Sequence, residues 1–285
     1  MSFDANSHRQ SSLEGWEEAA SGWVRRQDLL REFSAPVSHW MIDAISPQPG
    51  QRVLELAAGL GEAGMLAAEL VAPHGQVLIS DQAEAMLEGA RARASALGLS
   101  NVEFKVFNAE WIDLPLAAVD AVLCRWGYML MADPATALAE TRRVLRPGGC
   151  LALAVWDSIE LNPWAALPAL ELRERGLAPA AQDAAPAPGP FTLASAPALS
   201  ALLADAGFTD ITIETVELSR RHVSFEEMWE TTLDLSRAFH DAVLARPQAE
   251  ILDIRASLAE RFAPYTSEQG ALAIPARAIL AAAGA

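Results

Sequence analysis

The sequence predicts an α/β fold in which a mostly parallel sheet carries helices on both faces. Two observations lead to it: five short apolar segments lie between residues 52 and 157, and segments with helical periodicity separate them. Parallel strands need long return connections, so this alternation is typical of parallel sheets, whose ligands bind at the carboxyl ends of the strands. The five segments are RVLELAA, QVLISD, VEFKVFN, VDAVLCRW and PGGCLALAVWD.

The first 48 residues are predicted to form a helical cap ahead of this core. Apolar residues recur there at helical spacing, and Trp16 and Trp23 lie seven residues apart, near one face of a helix. SPQPGQ then ends the helical pattern. The core follows over 49–157, and its helices are predicted at 62–71, 83–97 and 134–145.

The part of the chain after Asp157 is predicted to complete the core and cover it. Residues 158–223 contain a Pro- and Ala-rich stretch, a helix at 195–206 and the sixth strand, TDITIETVEL. Whether segment 178–190 is an ordered lid or a flexible connection stays open. Residues 224–285 are predicted as a helical lid over 224–262 and a C-terminal element, LAIPARAILAAAG. We expect a seventh strand there, although its alanines also suit a helix.

Charge and composition exclude several kinds of partner. The net charge is −16 and the pI about 4.7, which argues against nucleic acid and anionic membranes as ligands. The two cysteines lie in apolar segments, and the five histidines lack metal-ligand spacing, so no metal site is predicted. Without an apolar signal segment or membrane span, a cytoplasmic protein is expected, as a monomer or a homodimer.

The stretch GLGEAG, residues 59–64, matches the G-x-G-x-x-G pattern of dinucleotide-binding Rossmann domains. A carboxylate at Glu55 fits that interpretation poorly, because it would lie near two phosphates and is costly to bury unpaired. We therefore predict that the strand ends near Leu56 with Glu55 at its mouth, facing the ligand. The loop then has the form Glu-x-Ala-x-Gly-x-Gly.

This loop resembles motif I of the class I S-adenosylmethionine (SAM) dependent methyltransferases, whose usual form is Asp/Glu-x-Gly-x-Gly-x-Gly. These enzymes have a Rossmann-like sheet. Ala57 replaces the first glycine. Asp81, at the end of the second strand, matches the ribose-binding acid, and NAEW, residues 108–111, resembles the adenine-binding turn. With VDAVLCRWGYML and ETRRVLRPGGCLALAVWD the resemblance covers 52–157. It is greatest to small-molecule methyltransferases related to the ubiquinone and menaquinone C-methylating enzymes.

The resemblance implies SAM as cofactor, S-adenosylhomocysteine as product, and a small, partly apolar acceptor. Predicted cofactor contacts are Glu55, Ala57, Gly59, Gly61, Asp81, Gln82, Asn108, Ala109, Glu110, Trp111, Arg125 and Trp23. Predicted substrate contacts are Trp126, Tyr128, Met129, Trp156 and Trp164. No catalytic residue is assigned; His222, Arg125 and Asp157 are candidates, and Arg125 can equally pair with Glu55 or Asp157.

Two other functions stay open at this point. Ala57 and Asn108 depart from the family pattern, so a second hypothesis is a SAM-binding cyclase or binding module that does not methylate. An NAD-dependent oxidoreductase is disfavoured by Glu55 and by the lack of a Tyr-x-x-x-Lys pair. For methyl transfer we expect positioning of an already nucleophilic acceptor to matter more than any single base.

Overall fold

The computed structural model describes residues 3–178 and 188–285 and contains a seven-stranded sheet of order β3-β2-β1-β4-β5-β7-β6. Its strands are β1 (Arg52–Glu55), β2 (Gln76–Asp81), β3 (Val102–Val106), β4 (Val119–Arg125), β5 (Leu145–Trp156), β6 (Thr209–His222) and β7 (Leu272–Gly284). The helices are α1 (Ala5–Arg25), α2 (Gln27–Ile45), α3 (Glu62–Val71), α4 (Glu84–Ala96), α5 (Pro134–Val144), α6 (Pro163–Glu174), α7 (Ala196–Asp205), α8 (Phe225–Leu235), α9 (Arg237–Leu244) and α10 (Gln248–Phe262).

Strands β1 to β5 are parallel, and β7 runs antiparallel between β5 and β6. The Ala-rich C-terminal element is therefore a strand, which confirms the seven-stranded, mostly parallel sheet. Its pairing extends from Cys150 opposite Gly284 to Trp156 opposite Ala278, and most of the alanines are buried. Hydrogen bonding on both edges outweighs the helical preference of alanine, since propensity is weaker than tertiary context.

The two N-terminal helices pack on the core in different ways. Helix α2 lies against β5, β6 and β7 and buries Phe33, Val37 and Met41. Helix α1 contacts α4 and α8 instead, so it joins the first part of the core to the C-terminal helices. This placement brings residues from both ends of the chain to the carboxyl ends of the parallel strands.

The structure differs from the predicted elements in three places, the first of which is helix α6 (Pro163–Glu174), which was not predicted. The helical stretch expected over 224–262 is three helices, because Ser236 caps α9 through the Phe239 N–H and Pro247 precedes α10. Strand β6 extends to His222 and pairs with β7 along its length. The alternatives for segment 178–190 stay open, since 179–187 lie outside the described residues. Within 3–178 and 188–285, no helix has the length and apolarity needed to cross a bilayer.

Candidate active site

Two adjoining cavities open at the carboxyl ends of the parallel strands. The polar cavity, about 110 Å³, is lined by the carboxyl ends of β1, β2, β3 and β4 and by one face of α1. The aromatic cavity, about 410 Å³, lies between the core and helices α2, α6, α8 and α9. The residues that line both are Trp16, Trp23, Ala58, Arg125, Trp126 and Leu130. The cavities therefore meet at Arg125 and Trp126, at the end of β4.

The glycine loop between β1 and α3 forms one wall of the polar cavity. Ala57, Gly59 and Gly61 have φ values of 47°, 54° and 75°, all in the left-handed region, and Ala57 and Gly59 line the cavity. Only glycine adopts this region without strain, so the departure at Ala57 costs about 1 to 2 kcal/mol. Gly61 lies outside the wall and is the N-cap of α3.

Asp81 is the acid of the polar cavity at the end of β2. Its Oδ2 accepts the Gly59 N–H at 2.8 Å and its Oδ1 accepts the Ala83 N–H at 3.0 Å. Burial raises the pKa of Asp81, and these backbone donors oppose that rise. Each carboxylate oxygen keeps a second lone pair for a ligand. Gln82 lies beside it in the wall and donates to the Ser12 hydroxyl at 3.0 Å.

The turn after β3 supplies the far end of the polar cavity. Asn108, Ala109 and Glu110 line it, and the Asn108 Oδ1 accepts the Glu110 N–H at 2.8 Å. The buried Glu110 carboxylate binds the Arg9 guanidinium, with an Oε2–Nη2 distance of 2.5 Å, and accepts the Ala132 N–H at 3.1 Å. Trp111 lies outside the wall: it is 55% exposed, and Arg9 stacks over it at 4.6 Å from the ring centroid.

Glu55 does not face the cavity as expected. It is the last residue of β1, only 1% exposed, and its Oε2 accepts the Gly64 N–H in the first turn of α3 at 2.8 Å. Burial raises the pKa of Glu55 to about 7, although the nearby Arg125 charge lowers it. The carboxyl group thus lies beneath the glycine loop and is absent from both cavity walls.

Arg125 lies at the boundary of the two cavities and pairs with Glu62, an acid that sequence analysis did not single out. Its Nη2 is 3.3 Å from the Glu62 Oε2, and its Nη1 donates to the Ser38 hydroxyl at 3.3 Å. Neither of the two partners expected for Arg125 forms this ion pair. Asp157 instead pairs with Arg277, at 3.0 Å, away from both cavities.

Stacked aromatic rings form one side of the aromatic cavity. Trp126 and Trp156 are parallel with centroids 4.2 Å apart, Trp164 follows at 5.0 Å, and Phe33 of α2 stacks on the first two. These residues and Met129 line the cavity. Tyr128 does not: it is 1% exposed, and its hydroxyl shares a 2.6 Å hydrogen bond with Thr141. The side chain of Tyr128 is therefore part of the core and lies outside both cavity walls, although a substrate contact was expected for it.

His222 lies in neither cavity wall. It is 3% exposed, and neither ring nitrogen has a hydrogen-bond partner among the residues that the structure describes. Burial and the charge of Arg220 lower the pKa of His222 to about 4, so the imidazole is neutral at pH 7. No group of three or more His, Cys, Asp or Glu suited to a metal ion occurs in the described part of the chain.

Sequence reasoning missed several residues that line the cavities, most of them from outside the core. Phe33, Glu62 and Arg220 line the aromatic cavity, and Arg9 and His8 of α1 line the polar one. The sequence VELSRRH of β6 carried a signal for an inward-facing arginine, because Arg220 falls in the same period-two register as Val216 and Leu218. Phe33, Arg9 and His8 follow only from the packing of the N-terminal helices, and Glu62 follows from the orientation of the first turn of α3.

Comparison with known proteins agrees with this geometry. Residues 47–174 match the model of a methyltransferase domain. The chain is 31% identical over 147 residues to aklanonic acid methyltransferase DauC of Streptomyces sp. strain C5, covering 52% of this chain and 66% of that protein. It is 33% identical over 165 residues to the ubiquinone/menaquinone biosynthesis C-methyltransferase UbiE of Pasteurella multocida, covering 56% and 60%.

Among solved structures, the [4+2]-cyclase SpnF aligns over 94% of this chain and 95% of its own, with a TM-score of 0.55 and 17% identity, which is a likeness of fold. The chain spans about half to two thirds of the length of the curated relatives it matches. Residues 47–174 are therefore a methyltransferase domain, and these relatives and the strand order support its assignment to the class I SAM-dependent methyltransferases.

Proposed function

We propose that this protein transfers a methyl group from SAM, bound in the polar cavity, to a small, partly apolar molecule in the aromatic cavity. The observation behind the proposal is the shared wall: Arg125 and Trp126 line both cavities, at the end of β4. A donor and an acceptor in the two cavities would meet at this boundary.

The residues of the polar cavity suit SAM better than a dinucleotide. The two free lone pairs of Asp81 match a ribose diol, and the small residues Ala57 and Gly59 leave room at the loop. Gln82, Asn108 and Ala109 would hold the adenine end. The two arginines of this wall, Arg9 and Arg125, are already paired with carboxylates, so neither is free for a pyrophosphate.

SAM, when bound, supplies an electrophilic methyl group attached to a sulfonium. The chain itself then has to orient the acceptor and exclude water, which the stacked rings of Trp126 and Trp156 do on one side of the aromatic cavity. Among the described residues lining that cavity, Glu62 is the one carboxylate, and two arginines and Ser34 hold it. This arrangement favours positioning over general-base catalysis.

A non-methylating cyclase or binding module remains the alternative, but the likeness to SpnF concerns fold alone. Calorimetric titration with SAM, S-adenosylhomocysteine and NAD separates the cofactor classes. Transfer of labelled methyl from SAM to small phenols, quinones, amines and thiols then tests the reaction. We expect micromolar or tighter SAM binding and labelled product; binding of NAD alone, or SAM binding without transfer across the panel, would contradict the proposal.

We further propose a cytoplasmic location and no nucleic-acid partner. The two cysteines are free thiols, as is usual in a reducing cytoplasm, and the net charge of −16 repels phosphate backbones. The choice between monomer and homodimer is tested by light scattering of the purified chain.

A further inference from the structure

Arg220 is a buried cation that faces the aromatic cavity without a partner. It lies on β6, is 8% exposed and lines this cavity but not the polar one. Its side chain makes no hydrogen bond or ion pair with any residue in 3–178 or 188–285, and its Nε is fully enclosed. Buried arginines are nearly always paired, because an unpaired charge in a low-dielectric site is costly.

Two aromatic rings contact the Arg220 guanidinium. It lies over Trp164 at 4.5 Å and over Phe33 at 5.0 Å from the ring centroids. Burial lowers the pKa of Arg220 to about 10, and no carboxylate opposes the shift. The group therefore stays charged at pH 7, held by cation–π contacts that replace only part of its hydration.

The carboxylate in the described wall of the aromatic cavity, Glu62, is already paired with other residues. Glu62 binds Arg93 at 2.9 Å, Arg125 at 3.3 Å and the Ser34 hydroxyl at 3.0 Å. The described wall thus holds two arginines and one shared carboxylate, within a chain of net charge −16. This local excess of positive charge is the reverse of the molecule as a whole.

We propose that Arg220 binds an anionic group of the acceptor, so that the substrate class is an apolar, aromatic monoanion. The inference rests on the proposed function and narrows its substrate. Trp126, Trp156 and Trp164 follow one another along the wall, and of these only Trp126 borders the polar cavity. Arg220 lies over the last ring, so the anion would be anchored away from the donor and a different group of the acceptor would be methylated.

Two fluorescent probes with the same ring system test the proposal without any need for turnover. Anilinonaphthalenesulfonate is an aromatic monoanion, and phenylnaphthylamine is its neutral counterpart. In titrations of the wild-type chain we expect tighter binding of the anion. Arg220→Gln should lower the affinity for the anionic probe at least about tenfold, because a charged hydrogen bond is lost, and should change the affinity for the neutral probe by less than about twofold. Competition with naphthoate and naphthamide extends the comparison to a carboxylate.

Arg221→Gln is the matched control, since Arg221 is the adjacent, exposed arginine of β6. This variant should leave the affinity for both probes unchanged. Circular dichroism and SAM calorimetry of each variant separate folding and cofactor binding from the effect on the anion. Failure of wild type to bind the anion, or equal losses of both probes in folded Arg220→Gln, would overturn the proposal. Normal probe results without SAM binding would instead contradict only the proposed function.

Discussion

The polar and aromatic cavities share a wall but are built in different ways. The polar cavity is made mainly of strand-end loops from one stretch of the core, with backbone N–H groups bound to the carboxylate of Asp81. The aromatic cavity combines α2, α6, β6, α8 and α9, which come from both ends of the chain, and Trp126, Trp156 and Phe33 stack on one another along one side of it. One is fixed by local hydrogen bonds and the other by packing.

This difference suggests a division of labour. A site formed by strand mouths and a tight loop has little freedom to change, which suits a constant cofactor. A site assembled from surrounding helices can change shape and charge without disturbing the sheet, which suits a variable substrate. Arg220, on strand β6 beyond the matched domain region 47–174, lines the aromatic cavity only.

The largest effect is expected at Trp156, which lines the aromatic cavity but not the polar one. Trp156→Ala should lower the free energy of unfolding by about 3 to 5 kcal/mol, because a buried ring stacked at 4.2 Å on Trp126 is lost. SAM affinity of the folded protein should stay within about threefold. Urea unfolding and calorimetry measure both. Trp229→Ala is the control for stability, because Trp229 is about as buried as Trp156 but lines neither cavity. A large loss of SAM affinity in folded Trp156→Ala would contradict the separation of the two cavities.

The next effect concerns Glu55, which lies under the polar cavity. Its pKa is raised from about 4.5 unfolded to about 7 folded, so the folded state binds more protons between these values. The contribution of Glu55 to stability is therefore present at low pH and lost as pH rises through about 7, by about 3 kcal/mol at most. Relative to Glu55→Gln, wild-type unfolding free energies should fall between pH 5 and 8.

The same variant tests the place of Glu55 in the site. Since its carboxyl group binds the Gly64 N–H beneath the loop, Glu55→Gln should leave SAM affinity within about threefold. Calorimetry with SAM and methylthioadenosine measures this. A loss of affinity for SAM, with the affinity for methylthioadenosine unchanged, would show that Glu55 contacts the methionine end of the ligand.

Asp81 provides the third test, directed at the polar cavity alone. Asp81→Ala should weaken SAM and S-adenosylhomocysteine by the same factor, at least about tenfold, because each charged hydrogen bond contributes about 1.5 to 3 kcal/mol. Asp43→Asn, at an exposed acid of α2, is the control and should leave both affinities unchanged. Unaltered binding in folded Asp81→Ala would mean that the ribose lies elsewhere.

The smallest effect is expected at Ala57, in the glycine loop. Ala57→Gly removes a Cβ at φ 47° and should raise the free energy of unfolding by up to about 1 kcal/mol. Ala58→Gly, at the next residue, where φ is not positive, should lower it by about 0.5 to 1 kcal/mol or more. Denaturant titration compares the two; destabilisation by both would show that the loop gains nothing from glycine.

The sequence determined the parts of the molecule that depend on nearby residues. Alternating apolar and helical segments predicted the parallel core, and the strand ends brought Gly59, Asp81 and Asn108 to one site, as observed. This succeeded because the carboxyl ends of parallel strands necessarily meet at one edge of the sheet. The tryptophans at the ends of β4 and β5 were expected in the acceptor site from the family resemblance, and they line the aromatic cavity.

Only the tertiary structure decided where side chains point and which distant elements meet. Glu55 turns towards α3 and Tyr128 into the core, because side-chain direction depends on what packs against each face. The alanines of β7 form a strand because two neighbours supply its hydrogen bonds. Arg220 reaches Phe33 across 187 positions of sequence, a contact that no local pattern encodes, since it follows from the packing of α2 on the sheet.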